Sequence, residues 1–252
     1  MPWNPDQYHK FQAQRSAPFD DLLNLVIKRR GIKAIDLGCG TGELTYRLSK
    51  TLPESLVHGL DNSPQMLGKT KFQQNTGLTF ELGDLATIQG NWDLIFSNAA
   101  LQWSENHAQL VSHLFFLLNP GGQIAVQVPS NHTHMSHQLI AETAKEEPFR
   151  TILGGYVRVS PVLQIEDYAR LLYELGAENV IVFEKIYPHL LENSNAIIDW
   201  VSGTTLVPYF ERLGTEKEHF LSVLSNKMHT SFPTSPIFYP FKRTFFSAQK
   251  TG

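Results

Sequence analysis

The stretch Ile35-Asp36-Leu37-Gly38-Cys39-Gly40-Thr41-Gly42 decides the fold of this chain. An apolar run over residues 32–37 leads into it, and a segment with helical spacing follows over residues 42–51. A strand, a glycine turn and a helix in this order let a nucleotide-like cofactor lie against bare backbone, because a Cβ atom would keep the ligand away. The plainer alternative, a tight turn with no ligand, would not need an acidic residue at the end of the next strand.

Glycine spacing and two acidic residues indicate which cofactor fits. Dinucleotide enzymes use G-x-G-x-x-G and place a pyrophosphate on the helix N-terminus. Here the spacing is G-x-G-x-G and Asp36 precedes it, which favours a cationic ligand. A second apolar run, residues 56–60, ends at Asp61, whose carboxylate can accept both hydroxyls of a ribose. These features predict S-adenosylmethionine as cofactor, with S-adenosylhomocysteine as its product.

Later motifs resemble those of class I S-adenosylmethionine-dependent methyltransferases, in the same order. Residues 59–67 are similar to the family's ribose-binding strand end and following helix, and residues 83–85 resemble its adenine-contacting turn. Residues 93–103 resemble the motif beside the methyl group, and residues 118–122 the turn before the fifth strand. The cofactor-binding residues implied by this resemblance are Asp36, Gly38, Gly40, Gly42, Asp61, Asn62, Met66, Asp84, Leu85, Ser97, Asn98 and Trp103.

Alternation of apolar runs and helical segments predicts an α/β fold with a doubly wound, mostly parallel sheet. The resemblance implies seven strands and a Rossmann-like class I methyltransferase core with a helical cap. We expect one methyltransferase domain over residues 1–252, with a cofactor-binding core at 30–130 and cap elements over the active site at 1–29 and 193–236. Strands are predicted at 32–37, 56–60, 78–82, 93–97, 122–128, 179–187 and 237–248, and helices at 16–29, 42–51, 63–73, 105–118, 135–147, 164–175, 195–201 and 215–230.

Composition narrows the function classes. A formal net charge of −3 argues against a nucleic-acid partner, since no basic stripe is available for phosphates. A single cysteine, Cys39, and the lack of a signal-like or membrane-spanning segment predict a cytoplasmic protein without a membrane partner. His132, His134 and His137 have a spacing that could supply metal ligands, but nothing nearby completes a shell, so no metal is expected.

Segments outside the cofactor motifs resemble the trans-aconitate 2-methyltransferases. The similar segments are residues 3–8, 11, 15–16, 21–23, 126–129 with 131, 187–189, 196–204 and 208–209. The reaction this implies is esterification of a carboxylate of a small polycarboxylic acid. A carboxylate is ionised at neutral pH, so no obligatory catalytic acid or base is expected. The substrate-binding residues predicted are Tyr8, Arg15, Gln127, Tyr187, His189, Thr204 and Arg243, with Arg158 and Lys185 as further cationic candidates.

One departure from that family leaves the acceptor open. The family commonly carries an arginine where Val207 stands, so an acid with fewer carboxylates or a compensating arginine elsewhere is possible. The enzyme alternative is a methyltransferase acting on malonyl attached to acyl carrier protein, which needs a basic docking surface. A non-catalytic S-adenosylmethionine-binding protein is a third interpretation, and an NAD-dependent oxidoreductase is disfavoured by the position of the third glycine.

Overall fold

A computed structural model describes residues 12–71 and 77–252, with side chains from residue 17 onward. The strands are β1 (Lys33–Leu37), β2 (Leu56–Asp61), β3 (Leu78–Leu82), β4 (Trp92–Asn98), β5 (Leu118–Pro129), β6 (Ala177–Leu191) and β7 (Ile237–Lys250). The helices are α1 (Gln12–Leu25), α2 (Glu43–Thr51), α3 (Pro64–Leu67), α4 (His107–Phe116), α5 (Met135–Lys145), α6 (Phe149–Ile152), α7 (Ile165–Glu174), α8 (Ser194–Ser202), α9 (Val207–Leu213) and α10 (Lys217–Ser231). Short 3₁₀ turns follow β3, β4, β5 and α9.

The strands form one seven-stranded sheet in the order β3-β2-β1-β4-β5-β7-β6. β1 to β5 pair in parallel, and β7 is antiparallel to β5. The strand order reverses beside β1, which is where ligands bind in open α/β sheets. The predicted seven-stranded, mostly parallel, doubly wound fold is therefore confirmed.

One face of the sheet carries the main apolar core. Alternate residues of β1, β4 and β5 pack there against α4 and α7, and the packing includes Ile35, Ile95 and Val126. Tyr168 of α7 is fully buried and stacks on Phe246 of β7, with ring centroids 4.7 Å apart. Burial of this kind stabilises the fold by about 25 cal/mol per Å² of apolar surface.

The chain divides into two compact units. The sheet unit comprises residues 15–129, 161–185 and 243–252. The helical unit comprises residues 130–160 and 186–242, together with the described residues before Arg15. Within the helical unit α10 packs against α5 and α8, and Phe149 meets Phe220 edge-on at 5.1 Å. The helical unit contains the predicted cap range 193–236 and is larger than it.

Apart from shifted ends, the differences between prediction and structure are clearest in three helical segments. The helix predicted at 63–73 is the single turn α3, because Gly68 occupies its C-terminal cap and glycine is a poor helix former. The expected connection around Pro208 is helical, since a proline in the first turn of α9 needs no hydrogen-bonded N–H. The helix predicted at 16–29 is α1, which already includes Gln12 and ends at Leu25.

A cavity of about 540 Å³ lies on the sheet unit, lined by residues of β1, β2 and β3. Its lining includes Lys33, His58 and Glu81, which belong to the face opposite Asp36. The connection from β3 to β4 holds only a 3₁₀ turn, so no crossover helix covers this face between those strands. In the described part of the chain, no helix has the length and apolarity needed to cross a membrane.

Tyr168→Phe should destabilise the sheet unit. The hydroxyl group hydrogen-bonds with Nδ1 of the buried His107, whose Nε2 faces the Leu101 carbonyl oxygen at 2.8 Å. Removing the hydroxyl leaves the buried Nδ1 of His107 without this partner. We expect the free energy of unfolding, measured by urea denaturation, to fall by about 1–3 kcal/mol. Tyr173→Phe on the same helix is the control, because Tyr173 is 78% exposed. Equal effects of the two substitutions would contradict this account.

Candidate functional site

The glycine loop joins β1 to α2 and is held against the end of β2. The backbone N–H groups of Gly38 and Cys39 both donate to the Leu60 carbonyl oxygen, at 2.8 and 3.0 Å. Gly42 has a φ of 77°, and a Cβ atom there would lie 2.6 Å from the Phe80 ring. Only glycine fits this position, so the loop keeps its backbone bare.

Asp61 connects the loop to the end of β2. The Gly40 N–H donates to Asp61 Oδ2 and the Ser63 N–H donates to Oδ1, both at 2.8 Å. An ionised carboxylate has about four acceptor positions, so each oxygen can still accept a ligand hydroxyl. At Gly40 a Cβ atom would meet, among the described residues, only Met66 Cε at 3.2 Å.

Asp36 is a buried carboxyl group beneath the loop. Its side chain is 3% exposed, and Thr45 of α2 donates to Oδ2 at 2.6 Å. The pKa of Asp36 is raised to about 7, mainly by burial and to a smaller extent by the nearby Asp61, although the Thr45 hydrogen bond opposes the rise. A cationic ligand beside the loop would favour the ionised form. Thr45 was not predicted, although its inward position on the first turns of α2 is a sequence signal that could have found it.

Cys39 lies between these two acids and is buried. Burial raises the pKa of its thiol well above the usual range, and the charges of Asp36 and Asp61 raise it further. The thiol is therefore protonated at neutral pH.

The end of β4 places two neighbouring predicted residues on opposite faces of the sheet. Ser97 is buried and its hydroxyl donates to the Leu37 carbonyl oxygen at 2.9 Å, which joins β4 to β1. Asn98 lies on the same face as Asp36, and its buried Oδ1 atom has no hydrogen-bond partner among the residues described. Trp103, in the turn that follows β4, is 41% exposed.

The predicted adenine turn lies beside Asp61. The Gly83 N–H donates to the Asp61 backbone carbonyl oxygen at 3.0 Å, and the Ala86 N–H donates to Asp84 Oδ1 at 2.9 Å. Asp84 and Asn62 are exposed, whereas Leu85 packs against the apolar core. The structure thus brings most of the predicted cofactor residues to the carboxyl ends of β1, β2, β3 and β4.

The predicted acceptor residues are divided between the two units. Gln127 and Arg243 are buried in the sheet unit. Tyr187, His189 and Thr204 belong to the helical unit, where the His189 ring lies 5.3 Å from the Trp200 ring. Tyr8 lies outside the described residues, as does the side chain of Arg15.

Two other cationic candidates have distinct surroundings. Lys185 pairs with Asp21 at 2.6 Å on the surface, so that charge is already matched. Arg158 is half-buried in the helical unit, and its backbone N–H donates to the Tyr209 hydroxyl at 2.9 Å. Tyr209 lies in α9, two residues after Val207. The backbone of Arg158 therefore lies beside the Tyr209 side chain, which α9 carries.

The histidines after β5 are part of the helical unit. His137 Nε2 lies 3.1 Å from the Thr205 hydroxyl, and His134 Nδ1 lies 2.9 Å from the Ser136 hydroxyl. Burial lowers the pKa of His137 to about 3, so it is neutral at physiological pH. Within residues 12–71 and 77–252, no group of three or more His, Cys, Asp or Glu side chains is placed to hold a metal.

Comparisons with known proteins decide the family. Residues 28–176 match the methyltransferase domain family. A trans-aconitate 2-methyltransferase of Deinococcus radiodurans is 46% identical over 99% of both chains. The chain belongs to the trans-aconitate 2-methyltransferase family. Relatives of the same name from Variovorax paradoxus and Mycobacterium tuberculosis are 34% identical, over 99% of this chain and 99% and 97% of theirs.

Solved structures share the fold. An S-adenosylmethionine-dependent methyltransferase from Mesorhizobium loti superposes with a TM-score of 0.52, at 20% identity over 93% of this chain and 98% of that one. Phosphoethanolamine N-methyltransferase 2 of Haemonchus contortus, in complex with S-adenosyl-L-methionine, gives a TM-score of 0.54 at 15% identity, over 96% of this chain and 53% of that one. The expected class I methyltransferase fold and the expectation of a methyltransferase are both confirmed.

The described residues fit S-adenosylmethionine. Asp61 keeps acceptor positions for two ribose hydroxyls, and the loop has no side chain at Gly38, Gly40 and Gly42. The unpaired Asn98 Oδ1 can accept a hydrogen bond from an ammonium group, and Asp36 supplies a carboxylate on the same face. These carboxylates and the amide oxygen are hydrogen-bond acceptors. They suit a cationic nucleoside and would repel a diphosphate.

Asp61→Ala should weaken S-adenosylmethionine binding by about 10- to 100-fold, because charge-assisted hydrogen bonds contribute about 1.5–3 kcal/mol. The substitution also removes the acceptor that holds the Gly40 N–H. Isothermal titration calorimetry checks this, with Asp167→Ala on α7 as a control for loss of a carboxylate elsewhere. Unchanged affinity in Asp61→Ala would refute the assigned role.

Cofactor affinity should rise with pH through about 7 in the wild type, where Asp36 ionises. Below about pH 7 the Asp36 carboxyl group carries a proton, because its pKa is raised. A bound cation favours the ionised carboxylate, so binding should release that proton to the solvent. Calorimetry from pH 6 to 8 in buffers of different ionisation enthalpy measures both effects. In Asp36→Asn, the affinity for S-adenosylmethionine should no longer change with pH over this range. If the affinity of this variant still rises with pH, the released proton comes from another group.

Proposed function

We propose that this protein transfers a methyl group from S-adenosylmethionine to a carboxylate of trans-aconitate. The observation that carries this is the full-length match to enzymes of that name, which extends beyond the methyltransferase-domain match at residues 28–176 to the helical segment at residues 186–242. The Asp61-braced glycine loop supports the same donor independently of the comparison.

S-adenosylmethionine would supply the methyl group of its sulfonium, and an oxygen of the acceptor carboxylate would attack that methyl carbon in line with the carbon–sulfur bond. A carbon–oxygen bond forms as the carbon–sulfur bond breaks, which leaves a methyl ester and S-adenosylhomocysteine. Since the carboxylate is ionised at neutral pH, no proton has to move. The protein then acts mainly by orienting the two molecules, which can contribute about 7–11 kcal/mol to lowering the barrier.

Residues at the sheet edge would hold the donor. Asp61 accepts the ribose hydroxyls while the Gly40 and Ser63 N–H groups fix its carboxylate. Asn98 Oδ1 accepts from the donor's ammonium group, and the ionised form of Asp36 balances its positive charge. Asn62, Met66 and Asp84 line the end of β2 and the turn after β3, where the adenine would lie.

The acceptor has three carboxylates, so its binding requires cations and hydrogen-bond donors. The proposed set is Tyr8, Arg15, Gln127, Tyr187, His189, Thr204 and Arg243. Arg158 joins it, since its neighbour Tyr209 belongs to the helix that begins at Val207. In this way Arg158 would supply the charge that the family commonly has at position 207.

The partner is therefore a small carboxylic acid, with neither a nucleic acid nor a membrane involved. A malonyl group carried by acyl carrier protein remains the alternative acceptor, because it too offers a free carboxylate. A formal charge of −3 gives less attraction to an acidic carrier than such docking needs.

Purified protein with S-adenosylmethionine should convert trans-aconitate to its monomethyl ester, which mass spectrometry detects as a gain of one CH₂. A parallel reaction contains malonyl-loaded acyl carrier protein in place of trans-aconitate. Esterification of the carrier-bound malonyl group alone would move the protein to the alternative function. No product from either acid, with the donor still bound, would refute the proposed acceptor.

A further inference from the structure

Two glutamines on one face of β5 have opposite surroundings. Gln123 is fully hydrogen-bonded: Nε2 donates to the Leu25 carbonyl oxygen at 2.7 Å and to the Ser247 hydroxyl at 2.8 Å. Its Oε1 accepts from the Ile27 N–H at 2.9 Å. Gln127 lies four residues further along the strand, on the same face, at its carboxyl end.

The Gln127 amide is completely buried, at 0% exposure. Neither Oε1 nor Nε2 has a hydrogen-bond partner among the described side chains and backbone. Burying an amide without partners disfavours folding, and nearly all buried polar groups in proteins are paired. The Gln127 side chain is therefore not explained by the stability of the sheet, whereas the Gln123 side chain is.

The position of Gln127 places it beside the donor site. Its residue pairs with Asn98 in the register of β4 and β5, so both side chains leave the sheet on the same face. Phe96, two residues before Asn98, pairs with Asp36 of β1. Asn98 and Gln127 thus form one row across the sheet, on the same face as Asp36 and two residues nearer the carboxyl ends of the strands.

Arg243 extends this row on the other side of β5. It pairs with Pro129, two residues after Gln127, in the antiparallel register of β5 and β7. Arg243 is therefore the diagonal neighbour of Gln127 on the same face, a separation that long side chains span. It is 6% exposed, and its guanidinium group keeps its charge at any physiological pH.

Resting on the proposed function, we propose that Gln127 and Arg243 form the subsite for a non-reacting carboxylate of the acceptor. Gln127 Nε2 donates to one oxygen of this carboxylate, and the Arg243 guanidinium provides the charge and further N–H donors. A carboxylate held in this way has its lone pairs engaged, so it is a poor nucleophile. The reacting carboxylate is a different one, and the subsite selects acids with at least two carboxylates.

Gln127→Met removes the amide and keeps the length of the side chain. With trans-aconitate we expect KM to rise by about tenfold or more, as for loss of a hydrogen bond to a charged group. The kcat/KM for crotonate, which has one carboxylate and therefore no group for the subsite, should stay within about twofold of the wild type. Arg243→Met should lower the ratio of kcat/KM for trans-aconitate to kcat/KM for crotonate further. The affinity of Gln127→Met for S-adenosylmethionine should be unchanged.

Gln123→Met is the matched control. It should lower the thermal unfolding midpoint without changing the selectivity between the two acids, whereas Gln127→Met should leave the midpoint unchanged or raised. An unaltered KM for trans-aconitate, an equal loss on both acids, or a destabilised Gln127→Met protein would each overturn the inference. If the wild type does not esterify trans-aconitate, both the proposed function and the subsite are refuted. If the wild type is active and Gln127→Met has the same KM for trans-aconitate, only the subsite is refuted.

Discussion

The carboxylate of Asp61 is the constraint on which the candidate site depends. Its two oxygens accept the N–H groups of Gly40 and Ser63, so the glycine loop and the first turn of α3 are positioned by one side chain. The backbone of the same residue accepts the Gly83 N–H from the turn after β3. Three segments that are distant in the chain therefore meet at the end of β2, and the cofactor-binding geometry is largely preformed.

Much of this arrangement could be predicted because it is local in sequence. β3 has the bounds expected for it, β1 and β2 differ from expectation by one residue at one end, and β4 is longer by one residue at each end. These strands were predictable because buried parallel strands are short apolar runs between turn residues. The glycine spacing with an acid before the loop and at the next strand end predicted the cofactor class. Helix ends were less predictable, because at Gly68 and Pro208 the effect depends on where in a turn the residue falls.

Residues whose surroundings depend on tertiary contacts could not be sorted in advance. Gln123 and Gln127 are chemically identical in the sequence, and the partners that distinguish Gln123 come from positions 96 to 124 residues away. Ser97 and Asn98 are adjacent in one motif, yet the pleat of β4 places their side chains on opposite faces of the sheet. The Ser97 hydroxyl bonds to the backbone of β1, whereas Asn98 lies on the face of Asp36. Only the assembled register shows which of each pair is available to a ligand.

The buried thiol of Cys39 has a chemical consequence for an enzyme of this kind. A methyl sulfonium alkylates soft nucleophiles, and a thiolate is the softest that a protein offers. Cys39 stands inside the loop proposed to hold such a donor, flanked by the acids that attract the donor's positive charge. Those acids and the burial of the side chain also oppose deprotonation of the thiol. The loop can therefore carry a cysteine without becoming a target of its own alkylating reagent.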